Sequence, residues 1–234
     1  MSDPFSLVIP VFNEANSIDK VIEEAFLCSK KINDKNEIIV VNDGSNDATL
    51  EILKKLKKKY NINIINNSKN YGQSYSISEG IKNSNYDIIV TIDGDGQNNP
   101  NDIANLYEIF NTKKYGLVGG IRNKRKDSII KIISSKIANK VRSFILRDFC
   151  KDTGCSLKIF DKKIFLKFPF FDGIHRFLPA LFIGYGSKTF FLNVSHRPRI
   201  SGYSKYGTYG RLTKGLRDII KVAKIIKKFK RSRA

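Results

Sequence analysis

The chain is poor in residues that staple or ligate. Among 234 residues there are three cysteines: Cys28, Cys150 and Cys155. The number is odd, the spacing of the last two suits no common zinc pattern, and a reducing compartment is the reading. Histidine is scarcer still. His175 and His196 have no His or Cys cluster beside them in sequence, so both read as structural rather than metal-ligating. No apolar run approaches the ~18 residues needed to span a bilayer; the longest, FLPALFIGYG, is broken by Pro179, Gly184 and Gly186. The start, MSDPFSLVIPVFNE, has no basic stretch ahead of a long apolar one, so no signal peptide is predicted. The expectation is a cytoplasmic protein that lies on the inner face of a membrane without crossing it. Acidic residues are also few, 22 against 42 basic, for a net charge of +20. A surplus of that size concerns partners rather than fold, and points to nucleic acid, an anionic membrane or phosphorylated substrates.

No linker, repeat or low-complexity segment divides the chain. The length suits one large domain or two small ones, with ample apolar content for a core. The first half alternates between two hydrophobic periods. SLVIPV, EIIVV, INIIN, DIIVTI and YGLVGGI read as strands. Between them lie four amphipathic helices, NEANSIDKVIEEAF, NDATLEILKKLKKKY, YGQSYSISEGIKN and NPNDIANLYEIF, the last started by Pro100 near its first turn. Repeated strand–helix units predict an α/β fold with a mostly parallel central sheet covered on both faces. Ligands bind such sheets beyond the carboxyl ends of the strands, where the polar clusters FNE, NDGSND and DGDGQ fall. The second half predicts a basic amphipathic segment over Lys124–Arg147, a strand SLKIF, an apolar helix-like stretch GIHRFLPALFIGYG and a strand KTFFLNVSHRPR. It closes with a basic amphipathic C-terminal helix over 211–234, set apart from a domain over 1–210.

The stretch TIDGDGQNNP holds the densest chemistry. A buried strand ends in Asp93 and Asp95, one glycine apart. Unpaired buried carboxylates are costly, and two together repel unless a cation joins them. Mg²⁺ and Mn²⁺ take one or two protein carboxylates and complete their shells with water and substrate phosphate. Residues i and i+2 point the same way in extended chain. Gly94 would let phosphate approach the backbone, and Gln97 would add an oxygen or orient a water. A polar Asp/Gly/Asn turn is the competing reading of these residues alone. A calcium loop is excluded, because Asn98 and Ala104 stand where glycine and glutamate are required. In NDGSND, Asp43 reads as an acceptor for ring N–H groups of uracil or guanine, and Asp47 as a helix N-cap. Glu14 is either a first-turn helix carboxylate or a substrate contact.

SLVIPVFNEANSI, VNDGSND, NYGQSYSISEGI and TIDGDGQNNP occur in the order and spacing of family 2 glycosyltransferases of the GT-A, Rossmann-like nucleotide-sugar-binding fold. GGIRNKR, KDTGCSLKIF, HRFLPALFIGYG and NVSHRPRISGYSKYG narrow the resemblance to the polyprenyl-phosphate, dolichol-phosphate mannosyltransferase-like branch. The resemblance implies a GDP- or UDP-sugar donor, a polyprenyl phosphate acceptor and a Mg²⁺ or Mn²⁺ cofactor. It places Pro10, Phe12, Glu14, Asp43, Asn70, Gly72, Asp93 and Gly94 at the donor, and Asp93, Asp95 and Gln97 at the metal. Arg122, Lys136, Arg197, Arg199, Ser204 and Lys205 fall at the acceptor phosphate, with Arg122 and Arg199 beside the reacting groups. Lys136 stands where the family usually has arginine, and so lacks the forked geometry.

An inverting displacement then follows, and a hydroxyl acceptor would need a general base. No Glu-Asp motif follows the D-x-D strand, and Asp152 is the nearest candidate. A phosphate acceptor is already anionic and needs cationic clamping instead. Asp152 then reads as an orienting carboxylate paired to one of the cations. The basic amphipathic segment over Ser128–Leu146 reads equally as a membrane-facing helix or as an ordinary domain helix with a solvated basic face; for the tail a membrane surface or a membrane-protein partner is favoured over that second reading. The rivals are transfer to a saccharide or lipopolysaccharide hydroxyl with Asp152 as base, and a nucleic-acid-binding protein. The latter is disfavoured because the basic residues accompany aliphatic stripes rather than interleaved aromatics.

Overall fold

The computed structural model describes residues 3–122, 140–198 and 209–232. Lys136, Arg199, Ser204 and Lys205, and most of the predicted Lys124–Arg147 segment, lie outside the described residues.

β1 (Phe5–Val11) is buried along its whole length, as a strand covered on both faces must be. Its side chains divide by parity. Phe5, Leu7, Ile9 and Val11 enter one apolar cluster and Val8 the other, the two-residue period of extended chain. The first cluster takes in Ile18, Val21, Ile22 and Ala25 of α1 (Ile18–Ile32), Leu53 of α2 (Thr49–Tyr60), and Ile103 and Leu106 of α4 (Ile103–Lys113). The second takes in Ile77 and Ile81 of α3 (Gln73–Lys82), Leu146 of α5 (140–146 among the described residues), Phe165 of α6 (Lys162–Phe165), and Leu178, Ala180, Leu181 and Phe182 of α7 (Leu178–Gly184). Each helix buries the stripe that its 3.6-residue period predicts.

β1 pairs in parallel with β2 (Glu37–Asn42) and β4 (Ile88–Thr91), and β2 pairs in parallel with β3 (Asn63–Asn66). The seven strands run in the order β3-β2-β1-β4-β6-β5-β7. β5 (Leu117–Arg122) and β7 (Thr189–Val194) are parallel, but β6 (Lys158–Asp161) enters antiparallel between β4 and β5. Chain order reverses between β1 and β4, the topological switch point of an open sheet. There β1 continues to Val11 alongside β2, while its ladder with β4 ends at Val8↔Thr91. The strands splay and leave a crevice.

The C-terminal helix α8 (Tyr209–Arg231) uses its apolar stripe within the fold. Ile219 and Val222 are buried, with Ala223, Ile225 and Ile226 packed on the second cluster. A Cβ on Gly184 would sit 2.5 Å from Ile226 Cγ1, so only glycine lets the end of α7 receive α8 this closely. Tyr185 stacks on Phe229 with ring centroids 3.6 Å apart. Over 219–226, the face expected to meet a membrane or partner is therefore covered here by the protein itself. Among the described residues no helix is long and apolar enough to cross a membrane.

Candidate active site

A pocket of about 730 Å³ opens at the switch point. Asn70, Gly72 and Gln73 come to it from the start of α3, Thr91 and Asp93 from the end of β4, and Thr153, Gly154, Cys155, Ser156 and Lys158 from the chain entering β6. Asp172, His175 and Arg176 close it from the turn before α7.

The acidic pair lies just past the strand rather than in it. β4 ends at Thr91, Ile92 is buried, and the chain turns through Gly94–Gly96. Asn98 pins this turn, its Oδ1 accepting the Asp93 N–H at 3.0 Å and the Ser156 hydroxyl at 2.7 Å. Asp95 is buried, its Oδ1 accepting the Gln97 N–H at 3.0 Å. Asp93 lines the pocket and accepts from Gln73 Nε2 at 2.7 Å. Burial, and next the Asp95 charge, push the Asp93 carboxyl up to about 6, against partial relief from Ser156, Lys158 and Arg122. A carboxylate pair whose mutual repulsion raises a proton affinity this way fits a hard divalent cation, which would replace the proton.

Gly94 has a different reason from the one its neighbours suggest. A Cβ there would lie 2.5 Å from Val11 Cγ1 and 3.3 Å from the Pro10 carbonyl. The glycine lets the D-x-D turn sit against the end of β1, and the Gly94 carbonyl accepts from Ser17 at the start of α1, 3.1 Å away. Pro10 is buried at that strand end, while Phe12 and Glu14 are half-buried in the loop beyond. The Glu14 backbone carbonyl accepts the Ser17 and Ile18 N–H groups, both at 3.0 Å, and so serves the start of α1.

Asp43 is buried and holds the neighbouring loop. It accepts the backbone N–H groups of Tyr71 at 3.0 Å and Gly72 at 2.8 Å, and the Asn67 carboxamide at 2.8 Å. Its carboxylate thereby fixes Asn70–Gly72 at the pocket wall, in addition to any ligand it meets. Asp47 stands one residue ahead of the N-cap, Ala48, rather than at it, and accepts from Thr49 N at 3.0 Å and from Ala15 N at 3.2 Å. Burial raises its proton affinity, but these hydrogen bonds outweigh that and leave it lowered.

On the cationic side, Arg122 and Asp152 form a two-pronged pair, Nε to Oδ2 and Nη2 to Oδ1, each at 2.7 Å. Burial opposes the Arg122 charge, but Asp152 more than restores it. The guanidinium lies directly behind the pocket wall: a Cβ on Gly154 would be 2.9 Å from its Nη2. Arg197 goes elsewhere. Its Nη1 donates to Glu24 of α1 at 2.5 Å and its Nη2 to Asn99 at 2.8 Å. Gln97 follows it: the Gln97 carbonyl accepts the Arg197 N–H at 2.9 Å, and Gln97 Nε2 faces His196 Nε2 at 3.4 Å. The segment after β7 is thus laced to the D-x-D turn, and Arg197 binds protein rather than lining the pocket.

Two cations were not singled out by their spacing. Lys158, buried in β6 opposite Thr91, donates to the carbonyls of Cys155 and Thr153. A lysine in an otherwise apolar strand was its only signal. Arg176 and His175 are the polar residues of an apolar stretch. His175 Nδ1 meets the Ser74 hydroxyl at 2.7 Å, which also accepts the Gly173 N–H at 2.7 Å, so His175 is anchored to α3 while lining the pocket.

The wall segment is braced from outside by a second buried pair. Arg142 Nε meets Asp148 Oδ2 at 2.8 Å, and Arg142 Nη1 donates to Thr153 Oγ1 at 2.7 Å. Around this brace Phe144 and Phe149 project, 85% and 79% exposed.

Residues 6–172 match the model of the family described as glycosyl transferase family 2. The chain is 34% identical over 207 residues to a dodecaprenyl-phosphate galacturonate synthase of Rhizobium johnstonii, covering 86% of this chain and 61% of that protein. It is also 34% identical over 204 residues to an undecaprenyl-phosphate 4-deoxy-4-formamido-L-arabinose transferase of Pectobacterium atrosepticum, covering 86% and 62%. The chain thus spans under two thirds of the length of these relatives. Among solved structures, glucosyl-3-phosphoglycerate synthase from Mycobacterium tuberculosis, in complex with Mn²⁺, UDP and glucosyl-3-phosphoglycerate, superposes with a TM-score of 0.68 at 16% identity, over 94% of this chain and 78% of that one. Mannosyl-3-phosphoglycerate synthase from Rubrobacter xylanophilus gives 0.69 at 14% identity, over 98% and 75%.

Proposed function

The chain belongs to glycosyl transferase family 2, and from that premise we propose that it moves a sugar from a nucleoside diphosphate, UDP before GDP, to a polyprenyl phosphate at a membrane surface. The observation that carries this reading is the polarity of the pocket. A carboxylate with raised proton affinity stands on one wall, and Lys158, Arg176 and, behind Gly154, Arg122 stand on the others. The relatives named for dodecaprenyl and undecaprenyl phosphates support the acceptor class. The UDP and metal held by the structural neighbours support the donor.

Asp93 and Asp95, with Gln97 beside them, are the residues that would hold Mg²⁺ or Mn²⁺, which when bound neutralises charge on the departing diphosphate. The chain's own residues do the rest. Asn70–Gly72, set by Asp43, shape the donor side. The bond from the anomeric carbon to the diphosphate oxygen breaks, its electrons leaving with the diphosphate. An acceptor phosphate oxygen forms the new bond from the opposite face, with inversion. That oxygen is already anionic, so no proton moves. The Arg122–Asp152 geometry favours this over a hydroxyl acceptor, because Asp152 is fully engaged in orienting a cation. At the membrane, Phe144, Ile145 and Phe149, among the exposed Lys140, Arg147 and Lys151, fit an interfacial contact with an anionic leaflet.

The test is incubation with bacterial membranes, Mn²⁺ or Mg²⁺, and radiolabelled UDP- and GDP-sugars. Label is expected in an organic-extractable product that mild acid releases. Label found only on a saccharide would favour the hydroxyl-acceptor reading and overturn this one.

A further inference from the structure

The pocket has two cationic side chains in its lining besides His175, and they differ in how fully the protein uses them. Lys158 is buried and donates to two backbone carbonyls. Arg176 is about one third exposed, and its ion pair among the described residues, Nη2 to Asp218 Oδ2 of α8, is long at 3.3 Å. Its Nε is buried with no acceptor among the described residues. The contrast with Arg122, which makes two bonds of 2.7 Å to one carboxylate, is chemical as well as geometric. A buried guanidinium donor without an acceptor is costly, and such groups in folded proteins call for a reason. The turn that carries Arg176 is held in place: Gly173, at φ 98°, donates to Ser74 Oγ, and a Cβ on it would meet Arg176 Nη2 at 2.8 Å. The guanidinium therefore lies folded over Gly173, between α8 and the pocket, with donor capacity that Asp218 does not fill.

We propose that Arg176 binds an oxyanion of the substrate in this pocket, with Asp218 of α8 as the carboxylate that parks its side chain between turnovers. The inference rests on the transferase reading and adds to it a residue that determines specificity. The planar fork of arginine suits carboxylate and phosphate alike. Two substrate groups have that chemistry: the phosphate of the acceptor, and a carboxylate on the donor sugar, as in a uronic acid.

The experiment uses the full chain with Mn²⁺ and two probes, farnesyl phosphate as a short acceptor and UDP-galacturonate compared with UDP-galactose. Binding constants are measured for the unaltered protein and for Arg176→Gln and Arg176→Lys. Binding of UDP with Mn²⁺ should stay unchanged in both variants, which a general loosening of the fold would not allow. Arg176→Gln is expected to weaken one probe by about tenfold or more, the size of a lost charge-assisted hydrogen bond. Arg176→Lys, which keeps the charge near Asp218, should weaken the same probe by less and stands in should the glutamine variant not fold. Weakened farnesyl phosphate with unchanged sugar preference assigns the acceptor phosphate. A lost preference for UDP-galacturonate with unchanged farnesyl phosphate assigns the sugar carboxylate. Both probes unchanged in a folded variant that binds UDP normally would overturn the role of Arg176 and leave the transferase reading standing. An unaltered protein that binds neither probe would count against both.

Discussion

Arg122 ends β5 and Asp152 lies thirty positions later, yet the two meet as a two-pronged pair, Nε to Oδ2 and Nη2 to Oδ1 each at 2.7 Å, with the Arg122 backbone N–H donating to the same carboxylate at 3.2 Å. If the pair works as a unit, then Arg122→Gln, Asp152→Asn and the double variant should each lose similar amounts of transfer activity, so the single losses will not add. An Asp152 that acted alone as a base would instead give additive losses. Each single variant should also lower stability by about 3–5 kcal/mol through the partner left buried and unmatched, which urea titration reads separately.

Asp93 makes a prediction about pH. In the folded protein its carboxyl holds a proton up to about 6, against the ordinary 3.8, because of burial and the Asp95 charge. Between those values the native state binds more protons than the unfolded chain, so stability falls as pH rises through that window. The contribution is complete below 3.8 and lost above about 6. Asp93→Asn removes the titration. In chelator it should gain on the unaltered protein by roughly 1–3 kcal/mol between about pH 4 and pH 7.5. Parallel pH slopes for the two proteins would contradict the assignment. Adding Mn²⁺ near pH 7.5 should raise the melting temperature of the unaltered protein more than that of the variant.

Gly94 is predicted to be a packing glycine. Gly94→Ala drives a methyl to within 2.5 Å of Val11 Cγ1 and should cost about 1–3 kcal/mol by overpacking. Val11→Ala in the same protein should restore most of that loss and the UDP affinity with it. If stability returns and nucleotide affinity does not, the glycine also serves the ligand.

The two basic regions of the second half should separate in a vesicle assay. Phe144→Ser with Phe149→Ser removes two exposed aromatics and should weaken sedimentation with anionic vesicles by roughly tenfold or more while leaving the melting temperature unchanged. Ile226→Ala, on α8 against Gly184, should do the reverse. It should cost about 2 kcal/mol of stability and leave vesicle binding within a factor of about two. Equal effects of the two changes on vesicle binding would mean that α8 leaves the domain at a membrane.

Much of this protein is written locally. The strands and helices of the first half follow from hydrophobic period alone, because a stripe every 3.6 residues or every second residue is a property of neighbouring positions. The switch-point crevice follows from strand–helix alternation, and the acidic turn after β4 follows from two carboxylates at the end of an apolar run. Other features needed the fold, because they depend on residues brought together from far apart. β6 runs antiparallel within an otherwise parallel sheet, and that reversal is what carries Lys158 to Thr91. Arg197 is drawn to Glu24, 173 positions away, where the loop after β7 crosses α1, so an arginine that suggested phosphate makes an internal bond. The amphipathic stripe of α8 would fit a bilayer or a protein equally well in sequence, since both surfaces are apolar. Which of them it meets was decided by Gly184 and Tyr185, whose shape receives Ile226 and Phe229. The sequence alone determined the pattern of apolar and polar positions along each element; only the tertiary structure decided what each side chain meets, because pattern belongs to neighbouring positions and contact to pairs brought together from afar.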